Sequence, residues 1–202
     1  MQQAPLTYAD APWTFRLIGL NIAIHAIASL DAGNKLLLYG VLDVASILLG
    51  DQWWRIVTSI LLHGNLMHLI FNCIGLLIFG SMLERLIGTK LYLIVYFCGG
   101  VAANILVVAY KLLQAQQYYA VGSSGTIMAV IGTTAIIAWR MWRIERARVW
   151  EVLFQRMAVI IGLQLLVDLL IPINSMLTHM AGLGSGVVMG MIILSYGRRN
   201  GN

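Results

Sequence analysis

The stretch LYLIVYFCGGVAANILVVAYK, residues 91–111, carries no charged side chain until its last residue, Lys111. About 20 predominantly apolar residues in a helix cross the hydrocarbon core of a bilayer. Lipid offers no water to unpaired backbone groups, so such a run reads as a helix. Working outward, comparable stretches lie at about 15–31, 60–81, 124–141, 153–172 and 177–196. The expectation is an all-α membrane protein. Its six spans would form a single domain over residues 1–202.

Composition agrees with that reading. The chain is 60% hydrophobic and 10% charged. Soluble domains of this length carry about 25% charged residues, so there is too little polar surface here to coat a water-soluble globule. No cleavable signal peptide is evident. The first apolar stretch starts near Phe15, and insertion through the first span is expected. Cys73 and Cys98 fall inside apolar runs without zinc-site spacing, and both read as buried packing residues. No internal repeat or low-complexity tract is visible.

One segment does not fit the six-span scheme. Leu36–Gly50 is apolar but short, and Asp43 interrupts it. Such a stretch more often lies in the membrane interface or dips in and returns. It is followed by Asp51-Gln52-Trp53-Trp54-Arg55, whose aromatic rings suit the headgroup level.

The net charge of +5 raises nucleic acid as a partner, but in a membrane chain its distribution matters more. Arg16, Arg85, Lys90, Arg140, Arg143, Arg146, Arg148, Arg156, Arg198 and Arg199 fall on one side of the six-span scheme. Lys35, Arg55 and Lys111 fall on the other. The excess of positive charge marks the cytoplasmic side, which places both termini in the cytoplasm and expects no nucleic-acid partner. Spans 2, 4 and 6 then all begin near the outer face.

Polar side chains inside spans are costly and point to function. Here they gather at those three beginnings: His63 to Asn72 in span 2, Gly122-Ser123-Ser124-Gly125 in span 4, and Thr178-His179-Met180-Ala181-Gly182 in span 6. A serine and a histidine at one depth can perform acyl transfer, with the histidine taking the serine proton. The tetrahedral intermediate needs donors. The free amides at the start of span 4 point outward, and the helix dipole adds positive potential there. His68 and Asn72 are four apart, so they share one helix face and could donate to the same oxyanion. Glycines flanking Ser124 leave room for a peptide backbone.

These residues resemble the rhomboid family of intramembrane serine proteases. The pattern H-x-x-x-x-H-x-x-x-N is met by His63, His68 and Asn72, and G-x-S-G by Gly122, Ser124 and Gly125. H-x-x-G-x-x-x-G is met by His179, Gly182 and Gly186. A W-R pair is met by Trp54 and Arg55, and G-x-x-x-E-x-x-x-G by Gly80, Glu84 and Gly88. The patterns follow one another in the right order over about residues 15 to 196. The resemblance implies a six-helix rhomboid-like bundle with Ser124 as nucleophile and His179 as general base. It implies an oxyanion hole of His68, Asn72 and the Ser124 amide, with no cofactor and no metal. It further implies a half-buried first loop over Leu36–Arg55. Span 5 and the loop before His179 would gate substrate access. Substrates would be single-span membrane proteins with small residues at the scissile bond. The plain charge pattern and minimal core suit a bacterial inner membrane.

Two positions depart from the family pattern. Met128 stands where many relatives carry an aromatic that packs on the base, and Thr178 where alanine is common. With Met128 beneath His179, a loosely held base and a slow enzyme are expected.

Each residue also has a plainer reading. Ser124 suits a helix N-cap, and Ser123 is its rival as nucleophile. His68 and Asn72 suit hydrogen bonds between helices. His63 is read as a stabiliser of the first loop, and Glu84 as an anchor paired with Arg85. His25 is read as packing. Asp168, near the outer end of span 5, is read as a structural or gating residue in preference to a third catalytic member, because the family works with a pair. His63 and His68 are five apart and would not share a helix face, which argues against metal binding. Gly182, Gly186 and Gly190 recur every four residues and form a close-packing face, expected to meet span 4. Two other functions would leave different marks on the sequence. A catalytically silent relative that binds membrane clients would lack the serine or the histidine. A small transporter would show paired repeats.

Overall fold

The computed structural model describes residues 8–171 and 176–199. After a 3₁₀ turn at Tyr8–Asp10, helix α1 spans Pro12–Leu30. Short elements follow: α2 (Lys35–Gly40), β1 (Leu42–Asp43), α3 (Val44–Leu49) and α4 (Arg55–Thr58). A longer helix consists of α5 (Leu66–Gly75), one π turn (Leu76–Gly80) and α6 (Ser81–Ile87). The chain ends with α7 (Thr89–Leu113), β2 (Tyr119–Ala120), α8 (Ser124–Glu145), α9 (Arg148–Leu170) and α10 (Met176–Arg199).

Among the described residues, six helices are long and apolar enough to cross a membrane: Pro12–Leu30, Leu66–Ile87, Thr89–Leu113, Ser124–Glu145, Arg148–Leu170 and Met176–Tyr196. The protein is therefore an all-α integral membrane bundle. Its outer surface carries Leu20, Phe71, Ile94, Leu106, Val159, Leu169 and Ile192, a surface suited to lipid.

The second span starts later than its hydropathy suggests. Residues 60–65 are not helical, and α5 begins at Leu66. The cause is Asn65, whose side chain accepts from the amide of His68 at 2.8 Å and caps the helix there. The helix then runs past residue 81 to Ile87. Cys98 also differs from expectation: it is exposed on the surface of α7, while Cys73 is half-buried.

Helix α8 is the axis of the bundle. Every residue from Gly125 to Ala135 is buried. It packs on α7, α9 and, most extensively, α10. Small residues make the closest approach possible. A Cβ on Gly182 would collide with the carbonyl oxygen of Gly125, and one on Gly186 with that of Ala129. A Cβ on Gly190 would meet Ile136, with Thr133 close behind. The contacts advance in the same direction on both helices, so α8 and α10 run parallel. Thr133 Oγ1 donates to the Gly186 carbonyl at 2.8 Å, adding a bond across this interface. The close-packing face read at Gly182, Gly186 and Gly190 therefore meets span 4.

The first loop is built as a folded unit. Asp43, which interrupts the apolar stretch, caps α3 by accepting from the amides of Ala45 and Ser46. Leu42 and Asp43 pair antiparallel with Ala120 and Tyr119. Leu42, Val44, Ile47 and Ile56 pack with Val107, Val108 and Tyr118. Arg55 is buried and donates to the carbonyls of Leu38 and Val41 at 2.8 and 2.9 Å, closing the loop on itself. Trp54 Nε1 donates to the Tyr39 carbonyl at 3.0 Å, although its ring stays exposed. Asn104 in α7 donates to the Ile56 carbonyl at 2.8 Å and holds the loop to the bundle.

Glu84 does not pair with Arg85. Its carboxylate is buried and accepts from the amides of Trp13 and Thr14 at 3.1 and 2.9 Å. It also accepts from the hydroxyls of Thr14 and Thr89, at 2.9 and 2.8 Å. Those amides are orphan donors in the first turn of α1, and Pro12 at the helix start leaves none of its own. A carboxylate placed there satisfies the amides and meets the positive end of the helix dipole. Arg85 instead donates to the Ser81 carbonyl.

Candidate active site

Three helix beginnings meet at one end of the bundle. Ser124 is the first residue of α8 and is half-buried, whereas Ser123 ahead of it is fully buried. The turn before them depends on Gly122, which has φ +115° and donates its amide to the Ser59 carbonyl at 2.9 Å. A side chain there is strained by the backbone alone. It is also excluded by space, because a Cβ would stand 2.6 Å from Cε1 and Nε2 of His68. The His68 ring therefore lies against the turn that leads into Ser124. Asn72 Nδ2 is 3.7 Å from the same point. It donates to the His68 carbonyl at 2.8 Å, which occupies one of its two amide hydrogens.

His179 sits in the first turn of α10 and is buried. Its neighbours locate it. Thr178 Cγ2 lies 2.8 Å from where a Gly125 Cβ would stand, and Gly182 packs on Gly125 itself. Residues on both sides of His179 thus contact the residue that follows Ser124. Thr178, a departure from the family pattern, has a clear part in this. Its hydroxyl is 2.9 Å from the Tyr118 hydroxyl, which ties the start of α10 to the segment before β2.

The far side of the His179 ring is also held. Nδ1 lies 2.7 Å from Oδ2 and 2.9 Å from Oδ1 of Asp168 in α9. Both residues are buried. Gln164, one turn earlier in α9, donates to Asp168 Oδ1 at 3.1 Å and lies 3.3 Å from His179 Nδ1. The expectation of a loosely held base above Met128 is corrected by this contact. Met128 is buried in the apolar core, and a carboxylate fixes the ring. Gln164 was missed in the sequence. Its signal was its spacing: Gln164 and Asp168 are four apart, on one face of an otherwise apolar helix.

His63 lies ahead of α5, not on it. The five-residue separation from His68 therefore does not set their relative direction, and the rings meet edge to face at 5.3 Å. Burial pushes the His63 ring down to about 4, with His68 and His25 acting in the same direction. His25 is thus within electrostatic reach of this cluster. Among the described residues, no group of three or more His, Cys, Asp or Glu side chains is placed to hold a metal ion. The loop ahead of His179, expected to share in gating, falls at 172–175 and lies outside the described residues.

A sequence model of the rhomboid domain matches residues 50–196. The chain is 29% identical over 155 residues to RHOMBOID-like protein 6, mitochondrial, of Arabidopsis thaliana, covering 77% of this chain and 48% of that protein. It is 37% identical over 81 residues to the putative rhomboid protease YdcA of Bacillus subtilis, covering 40% of this chain and 39% of the relative. It is 28% identical over 140 residues to the rhomboid protease AarA of Providencia stuartii, covering 61% and 50%. The chain spans half or less of the length of these relatives.

Proposed function

The chain belongs to the rhomboid family, and from that premise we propose that it is an intramembrane serine endopeptidase acting on single-span membrane proteins. Both termini lie in the cytoplasm, the site opens toward the outer face, and a bacterial inner membrane is its setting. The observation that carries the reading is the seating of Thr178 and Gly182 on Gly125, which supports a working pair of Ser124 and His179.

The chemistry follows from the residues. Ser124 Oγ attacks the scissile carbonyl while His179 Nε2 takes its proton. The carbonyl oxygen becomes an oxyanion and accepts from His68, Asn72 and the Ser124 amide, groups fixed before the reaction starts. Collapse expels the amine, which takes the proton from His179, and leaves an ester on Ser124. A water then gives its proton to His179 and attacks the ester. Release of the carboxylic acid returns the proton to Ser124. Trp54 and Arg55 hold the first loop, Glu84 holds α1, and none of the three takes part in bond making.

The test is cleavage of a single-span test substrate by protein reconstituted in liposomes. Wild type is expected to cleave, and Ser124→Ala and His179→Ala to lose activity by about 10⁴-fold or more. Equal cleavage by all three would end the protease reading. Binding of the substrate without cleavage by wild type would favour a client-binding relative.

A further inference from the structure

We propose that Asp168 is a positioning residue for the Ser124–His179 pair: its carboxylate sets the orientation and tautomer of the His179 base. This rests on the protease reading above.

The geometry has three parts. First, both carboxylate oxygens lie within 2.9 Å of His179 Nδ1. An ionised carboxylate only accepts, so Nδ1 carries the hydrogen and Nε2 keeps its lone pair. That is the tautomer a general base for Ser124 requires. Second, the site is built. Gln164 donates to Oδ1 at 3.1 Å, which orients the carboxylate. Third, the placement is expensive. The Asp168 side chain is 2% exposed and the His179 side chain 9%. An intramembrane carboxylate costs several kcal/mol unless compensated. If helix contact were the only requirement, apolar residues would meet it at lower cost.

The topology adds a consequence. Met157 and Asp168 are the buried residues of α9, which packs mainly on α8 and only lightly on α10. The Asp168 carboxylate, with Gln164 beside it, reaches from α9 to the start of α10. The base is therefore held from the helix expected to gate substrate access. During the reaction the Nδ1 hydrogen stays on Nδ1. Asp168 takes no proton; it stabilises the imidazolium formed when Nε2 accepts from Ser124.

The experiment has two arms on the 202-residue chain in detergent micelles. In the first, wild type with ¹⁵N-labelled histidine is examined by NMR above neutral pH, with His179→Ala supplying the assignment. Nδ1 protonated and Nε2 bare is the expected signature; the opposite tautomer overturns the proposal without any change at Asp168. In the second, Asp168→Asn and Asp168→Ala are compared with wild type for kcat, KM and thermal stability. A fall in kcat of about 10²-fold or more is expected for both Asp168→Ala and Asp168→Asn at KM within about twofold, because the Asn amide keeps the size of the carboxyl but is uncharged and can donate to Nδ1, fixing the other tautomer. Wild-type kcat in both variants, while Ser124→Ala is inactive in the same preparation, removes Asp168 and leaves the protease reading standing. An active Ser124→Ala removes the protease reading itself.

Discussion

Gly182 of α10 lies directly on the Gly125 carbonyl of α8, with no room between them for a methyl group. This contact sets the depth of His179 relative to Ser124, because His179 is three residues before Gly182 and Ser124 one before Gly125. The relative depth of the two residues is thus set by backbone packing, while the Asp168 carboxylate holds the His179 ring.

Gly182→Ala should push α10 off α8. A destabilisation of about 1–3 kcal/mol is expected from overpacking, with loss of cleavage. Gly184 is the control, since a Cβ there meets nothing within 4 Å. Gly184→Ala should be neutral or stabilising by up to about 1 kcal/mol through helix propensity. Thermal unfolding in detergent, read beside activity, checks both.

Gly122→Ala tests the turn. The residue has φ +115°, and the His68 ring occupies the space where the methyl would go. We expect His68 to be displaced and kcat to fall by about 10²-fold, the scale of losing one oxyanion donor. Retained helicity by circular dichroism with lost turnover is the predicted pattern.

Much of the fold was legible because lipid imposes a simple length rule on apolar runs, and residues 91–111 satisfy it without ambiguity. The start of span 2 was not, because Leu61 and Leu62 extend the apolar pattern upstream while a single side chain, Asn65, decides where the helix begins. Glu84 was assigned to Arg85 by adjacency in sequence. Neighbours in a helix point in different directions, and the true partners, Trp13 and Thr14, lie about 70 residues away. The serine, the histidines and Asn72 were legible as a constellation of motifs. The hold of Asp168 on His179 was legible only as the less favoured alternative, since it depends on how α9, packed on α8, stands beside the start of α10, and no periodicity encodes that.

Glu84→Ala should act on stability alone. It leaves the buried amides of Trp13 and Thr14 unpaired, at a cost of about 1–3 kcal/mol. The melting temperature should drop while kcat per folded molecule stays at the wild-type value. A fall in kcat without loss of stability would show that α1 has a part in the chemistry.

His63 makes stability sensitive to acid. In the fold its ring is held at about 4, against an ordinary 6.5 in the unfolded chain. Between these values the unfolded chain binds a proton that the folded chain does not, so stability is complete above pH 6.5 and falls as pH drops toward 4. The loss is on the order of 1–3 kcal/mol. Melting temperatures of wild type and His63→Gln over pH 7.5 to 4 should diverge in slope, the variant being flatter. Parallel curves would contradict the assignment.

The central claim is that Ser124 is a nucleophile activated by His179. Its most direct measurement is reaction of the purified protein with a fluorophosphonate, followed by mass spectrometric mapping of the adduct. We expect one phosphonyl group on Ser124 in wild type and at least a 10²-fold slower reaction in His179→Ala. An adduct on Ser123, or a labelling rate unchanged by His179→Ala, would contradict it.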